Sequence, residues 1–186
     1  FDTKSKIPAE KFSEVLNTVL PPSIAVISSE EVCSDFHARF SAVNKTYKYK
    51  ILNRRFRSPI MEKKAWHIPY PLDIQSMNKA AADFIGFHDF SAFCASGHSV
   101  TSFERHIYAS EWTVEDGCLV YTVTGNGFLY NMVRIMTGTM VEIGLKKRPV
   151  DGILELIENK DRRQAGVTAP PHGLYLWEVN YDVCPK

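Results

Sequence analysis

The sequence predicts an α+β fold, a mainly antiparallel sheet with helices packed on one face. Short segments of alternating polarity, rich in β formers, are mixed with apolar stripes of helical period. Asp116-Gly117 separates two such β segments, a strong hairpin signal that makes at least one strand pair antiparallel. No repeat or low-complexity tract competes with a layered sheet-and-helix arrangement.

The elements follow in order. Pro8 suits the first turn of a helix running to Leu20, with Phe12, Val15, Leu16 and Val19 as its stripe, and Pro21-Pro22 stops it. Ile24 to Ile27 reads as a short strand, and Lys45 to Leu52 alternates as a longer one. Asp73 is placed to cap a helix over 73–85. Arg105 to Val114 and Leu119 to Thr124 form the hairpin arms. Phe128 to Ile143 predicts a helix closed by Gly144, Val150 to Asn159 a further helix, and Leu174 to Tyr181 a last strand. A boundary near Asp35 separates residues 1–35, a trailing helix and strand of an earlier subdomain, from residues 36–186.

The 186 residues are 45% hydrophobic and 23% charged, as in globular proteins, and long enough for a substantial core. The net charge of +1 gives no bulk electrostatic sign of nucleic-acid binding, so any such claim rests on local clustering. Cys33, Cys94, Cys118 and Cys184 are widely spaced and the six histidines are scattered, which argues against a zinc site or a disulfide framework. No apolar run is long enough to span a membrane, and a cytoplasmic location with reduced thiols is expected.

Two features carry chemistry. Arg39, Lys45, Lys48, Lys50, Arg54, Arg55, Arg57, Lys63 and Lys64 are nine of the 22 basic residues, opposed within residues 39–64 only by Glu62. They are interleaved with Phe40, Tyr47, Tyr49 and Phe56, the combination that a phosphate backbone and unstacked bases require. A solvated strand face with its loop explains the same stretch equally well. Strand parity sets Tyr47, Tyr49 and Ile51 on one face and Thr46, Lys48 and Lys50 on the other, and packing is the better reading for Tyr49.

The second feature is Arg134, inside a helix that is apolar nearly all round. A guanidinium there calls for a carboxylate or a wet cleft, because an unpaired buried charge is costly, and this reading is preferred to an arginine that snorkels to the surface. Asn131 and Gly138 share its face, and Gly138 permits close approach of a backbone or a ligand. His88-Asp89 is more naturally a turn than a proton-transfer pair, and Gly125-Asn126-Gly127 more naturally a turn than a phosphate cradle.

Six segments, standing in one order, resemble tRNA pseudouridine synthases of the TruA family. They are Phe36-His-Ala-Arg-Phe40, Lys45-Thr-Tyr-Lys-Tyr49, Gly86 through Phe93, Arg105 before its strand, Gly127-Phe128 with Met132-Val-Arg134, and Gly173-Leu-Tyr-Leu176. The match spans residues 36–186. The resemblance implies a partial pseudouridine synthase fold, with an RNA-binding cleft on the face of the sheet away from the helices. It implies isomerisation of uridine to pseudouridine in the tRNA anticodon stem-loop, without metal or organic cofactor, on a nucleotide flipped from its stack. An aspartate attacks, the glycosidic bond opens, and uracil rotates to rejoin through C5.

By the same resemblance Tyr47 stacks on the uracil and assists proton removal, and Arg134 pairs with the aspartate. Leu174 and Leu176 belong to the apolar wall of the pocket. Phe36, His37, Arg39, Phe40, Arg105 and the loop 97–101 contact RNA, although Thr101 stands near where family members often carry a basic residue. The family's G-R-T-D-x-G-V-H type motif, with the nucleophile, does not occur among these residues. The expectation is therefore the C-terminal part of a homodimeric enzyme, inactive alone. A non-catalytic RNA-binding module and an unrelated α+β domain are the alternatives. Arg134 favours the enzyme, since RNA binding alone does not need an arginine within a helix core.

Overall fold

A computed structural model describes residues 1–97 and 100–182. The chain forms two compact units, a smaller one holding Phe1–Ser41 and a larger one, Ala42–Tyr181.

In the smaller unit a single 3-10 turn leads into helix α1, Phe12–Asn17. This is shorter than the helix read from the sequence, and the strand expected at Ile24 to Ile27 does not form. One side chain accounts for the missing strand. Asn17 Nδ2 donates to the Val26 carbonyl and Asn17 Oδ1 accepts from Val26 N, each at 2.8 Å. The backbone groups of Val26 thus go to a helix-terminal amide rather than to a neighbouring strand.

The larger unit is one six-stranded sheet with helices against it. Its elements are β1 (Ala42–Asn53), β2 (Trp66–Ile68), α2 (Ile74–Ala82), β3 (Gly86–Asp89), β4 (Glu104–Glu115) and β5 (Cys118–Gly125). They are followed by α3 (Met132–Gly144), α4 (Ile153–Asn159) and β6 (Leu174–Tyr181). The sheet order is β2-β1-β5-β4-β3, with β6 also paired to β1. All pairings are antiparallel except β1 with β2. The α+β, mainly antiparallel class read from the sequence is the class observed.

Turn chemistry made the hairpin legible. Asp116 (φ 49°) and Gly117 (φ 75°) take the left-handed conformations that a two-residue hairpin loop requires. Asp73 caps α2 as expected, its carboxylate accepting from Ser76 N at 3.1 Å. That hydrogen bond holds the carboxyl below the usual range. Strands β2 and β3 escaped the sequence reading because each has only three or four residues. His88 and Asp89 lie in β3 rather than in a turn, paired with Arg105 and Glu104 of β4. Asp89 accepts from Ser91 N at 2.9 Å and pairs with Lys160 at 2.8 Å, so it serves no proton relay with His88.

The core lies between one sheet face and α2, α3 and α4. Tyr49 and Ile51 from β1, Trp112 from β4, and Tyr121 and Val123 from β5 meet Met77, Ala80 and Ala81 of α2 and Ile135, Met136 and Met140 of α3. Buried Tyr121 satisfies its hydroxyl on Ser110, 2.8 Å away. The other sheet face carries a smaller apolar cluster of Leu52, Ala65, Cys118 and Val120. Beside it Lys48 pairs with Glu115 at 2.9 Å and packs over Trp177, and Lys50 packs over Tyr175.

Candidate active site

Helix α3 begins at Met132, four residues later than the apolar pattern suggested. Asn131 has φ 59°, outside helical space, and Met132 N returns to the Leu129 carbonyl at 3.1 Å. Residues 126–131 therefore form a loop that leads into α3. Asn126 pins its start, accepting from His106 N through its side chain and donating its own N–H to the His106 carbonyl. The turn reading of Gly125-Asn126-Gly127 is the one observed.

Arg134 lies in the first turn of α3 and is half-buried. Its Nε donates to the Ala169 carbonyl at 2.7 Å and its Nη1 to Asn131 Oδ1 at 2.8 Å. Among the described residues it makes no ion pair and its Nη2 no hydrogen bond. The left-handed Asn131 is what turns that side chain back onto the guanidinium three residues ahead. The two carboxylates nearest by sequence context are engaged elsewhere. Glu142 pairs with Arg148 and accepts from Val167 N, and Asp89 pairs with Lys160.

Residues 165–170 cross α3 as an irregular strap. Ala169 N donates to the Arg134 carbonyl at 3.1 Å, so Ala169 binds this residue through both backbone and side chain. The next carbonyl, Pro170, accepts from Tyr49 Oη at 2.7 Å. Two consecutive carbonyls thus locate the guanidinium and a buried phenol. Burial pushes the Tyr49 phenol well up, and the positive charge of Arg134 partly opposes this. The strap reaches α3 only because Gly138 lacks a side chain. A Cβ there would stand 1.8 Å from the Val167 carbonyl oxygen. The close approach foreseen at Gly138 is by backbone. Gly138→Ala is expected to push the strap off α3 and cost about 1–3 kcal/mol of stability. Denaturant unfolding checks this, and an unchanged midpoint would contradict it.

Tyr47 stands two residues before Tyr49 on the same sheet face, half-buried, with its ring edge-on to Phe128 at 5.1 Å. This corrects the expected placement of the cleft. Tyr47 and Arg134 are both on the helix-bearing face, not on opposite sides of the sheet. Helices α2 and α3 cover the Tyr49 and Ile51 end of that face and leave the Tyr47 end partly open. Burial raises the Tyr47 phenol above its ordinary value, so it is protonated through neutral pH.

The β1–β6 register sets Leu176 opposite Tyr47 and Leu174 opposite Tyr49. Leu176 is 55% exposed, an apolar side chain bordering the open end. Arg105 also comes to this region. Its guanidinium Nε lies over Gly127, which precedes Phe128, and its Nη1 donates to the carbonyls of Ser102 and Glu104. Tyr47, Phe128, Arg134, Leu174, Leu176 and Arg105 thus belong to one side of one unit.

Phe36, His37, Arg39 and Phe40 are in the smaller unit and form a turn of their own. His37 Nδ1 faces the backbone N–H groups of Arg39 and Phe40, and the rings of His37 and Phe40 pack at 4.4 Å. The Arg39 guanidinium lies over the Phe40 ring, and Phe40 is 74% exposed. Of the expected 97–101 loop, His98 and Ser99 lie outside the described residues. In the rest of the basic stretch, Arg54, Arg55 and Arg57 are exposed in the connection from β1 to β2, and Arg54 donates to the Phe56 and Arg57 carbonyls.

Sequence reasoning missed the strap and its carbonyls. The available signal was Gly138 together with Ala165-Gly166, small residues that mark a close backbone crossing.

A family model described as tRNA pseudouridine synthase matches residues 80–182. A tRNA pseudouridine synthase A from Thermoanaerobacter sp. (strain X514) is 50% identical over 181 residues, 97% of this chain and 74% of that protein. The chain belongs to the tRNA pseudouridine synthase family. Proteins of the same description from Caldicellulosiruptor saccharolyticus and Bacillus subtilis are 48% and 46% identical, covering 97% and 98% of this chain and 74% of each relative. The matched family segment contains Arg105, Phe128, Arg134, the strap, Leu174 and Leu176, whereas Tyr47 precedes it.

Proposed function

We propose that this chain forms the uridine pocket of a tRNA pseudouridine synthase that isomerises uridine to pseudouridine in the anticodon stem-loop. One observation carries the assignment of roles. In a chain about half identical to such enzymes, Arg134 is held half-buried by neutral acceptors on the same sheet face as Tyr47. A guanidinium fixed in this way is prepared to receive a carboxylate.

In this reading the flipped uracil lies against Tyr47, with Leu174 and Leu176 as its apolar wall. The nucleophilic aspartate pairs with Arg134, which keeps it ionised and aimed. The aspartate bonds to the sugar carbon as the bond to N1 breaks, the ring turns, C5 bonds to that carbon as the aspartate leaves, and the proton lost from C5 is matched by one gained at N1, so the product is an isomer of the substrate. Tyr47 supports the ring through stacking and assists that proton's departure. Arg105, with Phe36, His37, Arg39 and Phe40, contacts the RNA. Residues 1–35 are the trailing part of an N-terminal subdomain and 36–186 the catalytic and RNA-binding subdomain. The working enzyme is a cytoplasmic homodimer that uses no cofactor.

Tyr47→Phe tests the assignment. In the intact enzyme it should hold tRNA affinity within a few-fold, because the ring still stacks. Turnover should fall about 10²- to 10⁴-fold, the range of a lost proton-transfer group. Pseudouridine counts and filter-binding affinities measure the two effects. Unchanged turnover would remove Tyr47 from the chemistry.

A further inference from the structure

We infer that Arg162 is a positioning residue for the isomerisation, acting on Arg134 through the strap. This rests on the role proposed for Arg134. Arg162 reaches back over its own loop. Its Nη1 donates to the Gly166 carbonyl at 3.0 Å and its Nη2 to Thr168 Oγ1 at 3.0 Å, with a longer contact to the Ala165 carbonyl at 3.5 Å. These groups immediately precede Ala169, whose carbonyl holds Arg134 Nε.

The strap has no regular secondary structure, so other groups must satisfy its backbone and set its path. Three anchors fasten it to α3. Gly166 N donates to the buried hydroxyl of Thr139 at 2.9 Å, and Val167 N to the Glu142 carboxylate at 3.2 Å. The third is Ala169 N, which donates to the Arg134 carbonyl at 3.1 Å, and none of the three touches residue 168. Among the described residues Arg162 alone spans the interval from Gly166 to Thr168, in a planar fork that fixes both distance and direction. Without it, Thr168 loses its side-chain tether and the chain can rotate between the Val167 and Ala169 anchors, changing the direction in which the Ala169 carbonyl points. The Ala169 carbonyl then no longer holds the guanidinium in one orientation. A misplacement on the order of 1 Å at a reacting group costs about a hundredfold in rate even when it originates away from the chemistry.

The test is a coupling measurement in the intact enzyme, with unmodified tRNA as substrate. Three variants are compared: Arg162→Ala, Thr168→Val and Arg134→Lys. Thr168→Val keeps shape and removes only the hydroxyl that Arg162 grips. Arg162→Ala should lower kcat about 10- to 100-fold with KM and tRNA affinity within about two-fold, and Thr168→Val should follow in the same direction more weakly. In the Arg134→Lys background, where the Nε–H that the Ala169 carbonyl holds is already lost, both substitutions should change kcat by less than about three-fold. Full additivity in that background overturns the inference, as does unchanged kcat in Thr168→Val. A parallel loss of tRNA affinity and Tm also overturns it, because that is the mark of a merely structural residue. If Arg162→Ala does not fold, Thr168→Val decides by the same coupling. Arg134→Lys with unimpaired turnover would refute the underlying role of Arg134. An impaired Arg134→Lys with additive partners would refute the inference alone.

Discussion

Incubated with unmodified tRNA, the 186-residue polypeptide is expected to form no measurable pseudouridine, a deficit on the order of 10⁴-fold or more against the intact enzyme. The reason is local to Arg134. Among the described residues its partners are a carbonyl and an amide, and Glu142 and Asp89 are tied to Arg148 and Lys160. Among the described residues no carboxylate pairs with Arg134, and arginines, amides and phenols at this site cannot form the covalent sugar intermediate. Binding and stacking groups alone leave only a small residue of the catalytic effect. Supplying the segment with the family's aspartate motif should restore both the ion pair and turnover. Pseudouridine formed by the 186 residues at the intact enzyme's rate would show that the nucleophile had been misidentified.

Replacing Arg134 by Ala in the intact enzyme should lower kcat about 10²- to 10³-fold. Removing one partner from a desolvated charge pair costs about 3–5 kcal/mol, and about 1.4 kcal/mol is a factor of ten in rate. The pH profile separates this from general damage. An arginine beside an aspartate lowers its pKa by about 1–3 units, because the positive charge favours the carboxylate. The nucleophile must be ionised, so turnover is lost as pH falls through that pKa. With Arg134 removed the aspartate's pKa rises, and the acidic limb of the profile should move to higher pH by a comparable amount. An acidic limb at the same pH, with kcat reduced, would mean that Arg134 does not face the nucleophile.

Both predictions depend on a residue whose peculiarity is legible in the amino-acid sequence. A charged side chain in an otherwise apolar helix violates the usual pattern, and such violations mark sites. Of the groups that hold Arg134, Asn131 is legible there from helical spacing, and the Ala169 carbonyl is not. Ala169, which accepts from Arg134, and Pro170, which accepts from Tyr49, act through backbone carbonyls, which every residue possesses, and Ala169 stands 35 positions from Arg134. Nothing in side-chain type or spacing distinguishes them from other loop residues. Arg162 is equally silent in the sequence, one of 22 basic residues, and only the folded chain closes its fork on Gly166 and Thr168.

Local physical chemistry was enough for the long elements. The Asp116-Gly117 turn, the Asp73 cap and the alternation of β1 each act within a few residues, so the chain states them directly. Elements that depend on distant partners were not stated. Val26 lost its strand to the Asn17 side chain, and β2 exists only because β1 offers it a parallel edge beyond β6. Parity determined that Tyr47, Tyr49 and Ile51 share a face, since side chains alternate along a strand whatever surrounds it. Which face the helices would cover was a tertiary decision. It was made by burial of the larger apolar surface of Tyr49, Tyr121 and Trp112 against α2 and α3, with Gly138 admitting the strap beside Arg134.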